Sequence, residues 1–373
     1  MANLAPESGR QSRARMGLTH KLIGGQDGFR HSTGPARALL CKIWPVLAII
    51  ILSGCLPLSH ASIAFGGMVA LREPQIQTPS STGNDGRFNE INRLIDSGDL
   101  ARARKMLAEE TALRCDTYQT LFLEAKILFR EQRYRESMKI LERSLSLNQR
   151  DAEVFKLVAS NAILLNRTDI AEQALKTAAQ LSPNDYLVFF HLGALSYPDS
   201  RFPPAQPVLE KSVNLNPEYI PARLFLGLTL EELSQERSAV DCYLQAIQLA
   251  ERSGFKGEQP YLFLGRLLYR QSKLDESLPY LQKAAQANSQ SCEVWCLLAR
   301  IHSARGRETE AVTALDQCTE ADPKYSEAHY LLSRVYVKQG RTEDAAKELA
   351  QFQELKKLEK NIKDPRKNQR VTP

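Results

Sequence analysis

The chain has 373 residues, with 49 Lys and Arg against 43 Asp and Glu, a formal net charge of +6, and 43% hydrophobic residues. That apolar content excludes disorder over most of the length, and 19 Gly with 18 Pro exclude a collagen-like or low-complexity chain. A basic balance invites a nucleic-acid partner, but residues 1–42 and 356–373 each hold seven basic and two acidic side chains, leaving a mildly acidic body. A folded nucleic-acid binder carries its basic stripe on the body, so no nucleic-acid partner is expected.

From Ile43 to Leu71 the chain has no Asp, Glu, Lys or Arg. The densest apolar part, Ile43 to Leu52, follows Arg37 and Lys42 directly, which is the plan of an export signal. Met16 is an alternative start that shortens the basic region without changing this reading. Three outcomes compete. Leu52-Ser53-Gly54-Cys55 resembles a bacterial lipobox, which implies lipidation at Cys55. Ser59-His60-Ala61 offers small residues for a cleavage that releases a soluble chain. The run also exceeds the ~20 apolar residues that span a bilayer, so it can stay as a membrane anchor. A buried core helix competes with all three. Residues 1–71 are therefore expected to be a signal or anchor segment at the cell envelope. Residues 72–86, rich in Pro, Ser and Gly, read as a linker.

The body repeats. Trp295, Leu298, Ala299 and His302, then Ala311, Leu315, Cys318 and Pro323, recur 34 residues later as His329, Leu332, Ser333, Tyr336, Ala345, Leu349 and Phe352. They recur 34 residues earlier as Tyr261, Leu264, Gly265, Leu268, Ser277, Leu281 and Ala284. The series continues back through Leu226-Gly227, Leu192-Gly193 and Val158-Ala159 to Leu121 and Ala125. Apolar residues at these spacings share one helix stripe, small residues let paired helices approach, and Pro183, Pro217 and Pro323 close the second helix of a pair. This pattern resembles the tetratricopeptide repeat (TPR) family over most of the chain. The resemblance implies an all-α, right-handed solenoid of about eight helix-turn-helix units over 87–359. The units run 84–117 (degenerate), 118–151, 152–185, 186–219, 220–257, 258–291, 292–325 and 326–359. The fifth carries four extra residues, placed around Ser253 to Gly257. Gln353 to Lys363 reads as a solvating cap, and 360–373 as a basic disordered tail. A 34-residue hairpin cannot offset its own ordering cost, so units must stack.

The family resemblance also implies a concave groove lined by first helices. The ninth residues of the last three units are Arg266, Arg300 and Arg334, with Arg270 and Lys338 at thirteenth positions. Together they are expected to form a cationic ladder for carboxylates. Its competitor is a solvated face paired with Glu293, Glu327 or Glu310. In the middle units Leu187, Phe190, Tyr197, Leu224 and Leu228 put apolar residues at groove positions, as partner anchors or as packing against the next unit. Lys156 and Ser160 do not reproduce the family's chaperone-type carboxylate clamp. The prolines around 198–207 are expected to alter the stack locally, and Pro207 and Pro279 to fall in the opening turn of a second helix.

Catalytic chemistry is hard to find. The seven cysteines include no C-x2-C pair, and an odd mature count argues against a full disulfide framework. No phosphate-binding glycine loop, G-x-S-x-G or H-E-x-x-H occurs. The expectation is a non-catalytic scaffold without cofactor or metal. It would take a protein or peptide partner with acidic segments into the groove, in the assembly of envelope machinery. An enzyme built in the helical array and an RNA-binding repeat protein are the competing classes.

Overall fold

The computed structural model describes residues 85–114, 116–197 and 199–363, and among them every regular element is an α-helix. The expected signal or anchor at 1–71, Cys55 within it, and the tail beyond Lys363 lie outside the described residues. Two compact units divide the described chain between Leu233 and Ser234. The first holds α1 (Asp85–Ser97), α2 (Leu100–Arg114), α3 (Tyr118–Arg130), α4 (Tyr134–Leu147), α5 (Ala152–Leu164), α6 (Thr168–Leu181), α7 (Tyr186–Ala194), α8 (Phe202–Leu215) and α9 (Ile220–Glu232). The second holds α10 (Glu236–Ser253), α11 (Gln259–Arg270), α12 (Leu274–Ala287), α13 (Cys292–Ala304), α14 (Glu308–Ala321), α15 (Ser326–Lys338) and α16 (Thr342–Lys363).

Within each unit paired helices form hairpins, and most of the bends between a first and a second helix are built one way. A residue in the left-handed region ends each first helix. Gly98, Gln132, Asn166, Ser200 and Ser234 follow at 34-residue steps, Ser272 comes 38 later, and Gly306 and Gly340 resume the 34-residue step. At most of these bends the next residue donates its N–H five residues back, as Arg133 does to Leu128 O (2.9 Å) and Arg341 to Tyr336 O (2.8 Å). That is the six-residue closure that satisfies a helix's last carbonyls. The residue starting the second helix is Arg or Lys at most bends and makes no side-chain cap; Arg133 and Arg341 pair instead with Glu136 and Asp344 in the first turn.

The hairpins close on small residues. A Cβ on Gly193 would lie 2.4 Å from Leu209 Cγ, and one on Gly265 would lie 2.8 Å from Leu281 Cγ, so a side chain at either place would force the helices apart. Where the partner helix brings a serine, its hydroxyl reaches across: Ser137 and Ser277 donate to Ala125 O and Gly265 O at 2.9 and 2.6 Å. Ser144 and Ser212 donate from the end of the second helix to the first residue of the hairpin, Tyr118 O and Tyr186 O. Neighbouring hairpins share cores, as Ile91, Ile95, Leu107, Leu123 and Ile127 do at the start of the first unit. In the second unit Leu281, Leu298, Leu315, Leu332 and their neighbours form one continuous cluster. α6, α8 and α14 each stop two residues before Pro183, Pro217 and Pro323, because a residue before proline avoids the helical region.

Three local expectations are corrected. Pro207 and Pro279 sit inside α8 and α12 rather than in the opening turn, because those helices already start at Phe202 and Leu274. Each therefore removes one internal hydrogen bond. α10 runs 18 residues to Ser253, closed by Gly254 at φ 70°, so most of the extra sequence in the fifth hairpin is helix. α16 is an unbroken 22-residue helix through Lys363, so Gln353 to Lys360 prolongs the second helix with most residues exposed, and 360–363 is helix where the disordered tail was expected. Around 186–219 the irregularity is a nine-residue α7, against 13 residues in α5 and α9.

Candidate functional site

The first helices carry the candidate residues, and the two units fill the same repeat positions with opposite chemistry. In the first unit these positions are apolar and covered. Phe190 is fully buried, and its ring meets Tyr219 and Phe225 edge-on at 5.3 Å each. Tyr197 is buried against Phe225 and Phe202, with ring centroids 5.4 and 5.2 Å away. Leu224 and Leu228 are buried too. Phe190, Tyr197, Leu224 and Leu228 are therefore packing residues and not exposed anchors, because the aromatic side chains of α7 and α9 close on one another. Leu187 alone stays half-buried, at the capped start of α7, where Asp185 accepts its N–H at 3.0 Å.

Beside this cluster Lys156 bonds Asp185 at 2.8 Å and Glu153 at 2.6 Å. Burial works against its charge, and the two carboxylates raise it above the ordinary lysine range. The His191 imidazole feels the charges of both Lys156 and Asp185, its Nδ1 is buried and unpartnered, and burial pushes it down to about 4 against the pull of Asp185. It is a neutral ring at physiological pH.

In the second unit the positions are charged, but the cations are not free. Arg266 is buried and bonds Glu293 at 3.2 Å, and Arg300 bonds Glu327 at 2.6 Å. In both pairs an arginine on one first helix meets the glutamate 27 residues on, in the first turn of the next. Lys338 spans back to Ser303 O, Ser303 Oγ and Glu308. The expected cationic ladder is thus a stripe of alternating Arg and Glu, because each carboxylate neutralises the arginine before it. Arg270, the last residue of α11, and Arg334, one turn before the end of α15, are exposed. Arg334 makes no ion pair among the described residues and lies over the Tyr330 ring, 5.9 Å from its centroid.

Glu258 lies at the start of this stripe, 9% exposed. Its Oε1 accepts from Ser291 Oγ at 3.1 Å, while Oε2 is buried without a partner. Burial pushes the carboxyl up to about 7, Glu293 adds to the rise, and hydrogen bonds from Ser291 and Asn288 oppose it. Tyr325, against Glu327, Cys296 and Glu293, is likewise held above the usual phenol range, mainly by burial.

A disulfide that composition did not suggest links Cys292 to Cys318, with Cα atoms 4.6 Å apart. It joins the first residue of α13 to the end of α14, the place where Ser144 and Ser212 bond to Tyr118 and Tyr186 in other hairpins. The signal that could have found it is this separation of 26 residues, common to all three contacts. Cys296, one turn on, is buried outside the bond. No group of three His, Cys, Asp or Glu able to hold a metal occurs among the described residues, and none of their helices is long and apolar enough to cross a membrane.

Residues 304–357 match the tetratricopeptide repeat family. No curated protein matches the sequence. Among solved structures the chain is similar to one in the APC/C hetero-tetramer Cut9–Hcn1, with 16% identity and a TM-score of 0.55. That alignment covers 68% of this chain and 49% of the other, so the chain spans about half the length of that relative. It is also similar to the C-terminal part of a TPR repeat-containing protein from Cytophaga hutchinsonii, with 15% identity and a TM-score of 0.51, covering 66% of this chain and 99% of that one. A TPR protein from Parabacteroides merdae aligns at 16% identity and a TM-score of 0.50, covering 67% of this chain and 98% of that one. At these identities the likeness is one of fold.

Proposed function

Because the chain carries tetratricopeptide repeats in an all-α repeat fold, we propose that it is a non-catalytic interaction scaffold. It takes a protein or peptide partner on the first helices of its last three hairpins. The observation that carries this reading is the stripe of Arg266, Glu293, Arg300, Glu327 and Arg334, whose outer pair is 38% exposed on both sides. An exposed ion pair is worth under ~1 kcal/mol, so a partner carboxylate can displace Glu327 from Arg300 at little cost. The balanced signs suit a protein partner with acidic segments better than a nucleic acid, which needs a continuous basic track. A photo-crosslinker at Arg270 of the full chain tests the reading: it should capture one partner, and Arg300→Glu should abolish the product. Unchanged capture by that variant would remove the stripe from the function.

The scaffold is placed at the cell envelope, held by lipid on Cys55 or by the apolar run 43–71. The Cys292–Cys318 bond supports this placement, since disulfides persist in oxidising compartments. Fractionation of the Cys55→Ser form beside the parent, with thiols counted before and after reduction, checks both parts. A cytosolic chain with both cysteines reduced would overturn the placement.

A further inference from the structure

The last hairpin presents a face that every earlier hairpin buries. The residues at the repeat position of Leu349 are Leu141, Leu175, Leu209, Tyr243, Leu281 and Leu315, and all are buried. Leu349 is 40% exposed. At the position of Phe352 stand Ser144, Ala178, Ser212, Ala246, Ala284 and Cys318, all small and buried beneath the neighbouring helices. In the last hairpin a phenyl ring replaces them, 5.3 Å from the ring of Tyr330. Tyr330 is 38% exposed where Phe190, Leu224, Leu262 and Cys296 are buried, and Val337 beside it is 63% exposed. The last described hairpin turns out Tyr330, Val337 and Leu349 beside a half-buried Phe352, with Arg334 and Lys356 over the two rings. Aromatic residues and arginine are the side chains that dominate protein–protein contacts.

We propose that this end face docks an amphipathic α-helix of a partner protein that carries a carboxylate in its first turn. The geometry of the preceding hairpins names the carboxylate. Arg266 receives Glu293 and Arg300 receives Glu327 from the first turn of the helix seated next to them. Arg334 holds the same position and has no ion-pair partner among the described residues. Phe352, where earlier hairpins carry a small residue, gives that helix an added ring to pack on. A second copy fits poorly. Two such faces meeting would set Arg334 and Lys356 against their own copies, and α1 exposes Gly86, Arg87, Asn89, Arg93, Asp96 and Ser97, none of them a large apolar residue and the one acid in the last turn rather than the first. Residues 364–373 have Val371 as their one large apolar side chain and cannot supply the helix.

The proposal rests on the scaffold reading and names a place and an occupant for it. The test uses the full chain in detergent with a fluorescent, lactam-stapled helical peptide of residues 324–339. That is the segment which, with Glu327 in its first turn, occupies the equivalent seat on the hairpin before. Saturable binding is expected, weakened about tenfold or more by Arg334→Glu and by Phe352→Ser, and equally by Glu327→Lys within the peptide. Val337→Glu, at a position 63% exposed, is a second variant that cannot disturb the core, and it should weaken binding as well. No binding at millimolar peptide, or binding indifferent to these changes, would overturn the proposal. A crosslinker at Val337 in cells then separates occupants. Links to a helical segment of another protein bearing Asp or Glu within one turn support the assignment. Links to a second copy, to lipid or to residues 43–71 of the same chain defeat it. Capture from Arg270 without capture from Val337 sinks this inference alone; capture from neither sinks the scaffold reading with it.

Discussion

The stretch from α7 to α9 and the stretch from α11 to α15 solve one packing problem in two ways. Both must seat one first helix against the next. The earlier stretch does so with Phe190, Tyr197, Tyr219 and Phe225 in edge-to-face contact. The later one does so with an apolar layer topped by Arg266–Glu293 and Arg300–Glu327. Shared fold therefore leaves the chemistry of the first-helix face undetermined: it is sealed in one stretch and polar, with an exposed outer pair, in the other. Only the second can exchange an internal partner for an external one.

The contrast can be broken most severely at its aromatic centre. Phe190→Ala should cost the first unit about 3–5 kcal/mol, the range for emptying a buried phenyl site. The loss should be independent of salt, read by hydrogen exchange in 85–233; a loss under ~1 kcal/mol would mean that the cluster does not hold that stretch together. In the second unit the double change Cys292→Ser with Cys318→Ser should cost about 3–4 kcal/mol by the loop-closure argument, and reductant should reproduce it on the parent. The exchange signature should stay within 234–363.

A smaller effect comes from Glu258. Its folded-state value is raised, from 4.5 to about 7, so the folded form holds its proton longer than the unfolded one. Stability is accordingly full below about pH 4.5, declines as pH rises, and levels off above about 7. The fall should be on the order of 3 kcal/mol. Glu258→Gln should abolish that slope and leave the second unit more stable at pH 8. A melt of parent and variant across this range decides it, and a parent that gains stability toward pH 7 would refute the sign. The smallest effect is expected at Arg300→Ala: under ~1 kcal/mol, fading in 0.5 M salt. An Arg300 loss as large as that of Phe190→Ala would erase the distinction between the two stretches.

Much of the repeat was legible in the sequence because close packing leaves a mark on residue size. Gly193 and Gly265 announce the helix contact that their missing Cβ atoms permit, and the Leu and Ala series announces the core. Exposure was not legible. Periodicity says that Phe190 and Arg266 share a stripe, but whether the stripe is covered depends on the neighbouring helix, and only coordinates show that Phe225 and Tyr219 close over Phe190. The pairing of Arg266 and Arg300 was legible as the competing reading, since Glu293 and Glu327 stand at one constant offset. The disulfide was masked by its setting, because Cys318 occupies a position that small buried residues such as Ser144, Ala178 and Ala284 fill elsewhere. The bend residues left no common mark: Gln132, Asn166, Ser200 and Gly306 share a backbone conformation and no side-chain chemistry.

Those bends keep count for the array. Each fixes where a first helix stops and a second begins, so a length change in a second helix need not disturb the hairpin it belongs to. α10 has 18 residues where α8 and α12 have 14, and four residues are close to one helical turn, about 6 Å of length and about 40° of excess rotation. The helix that follows starts again on nearly the same side. The array thus accommodates one added turn, and the 38 residues between Ser234 and Ser272 mark where it lies.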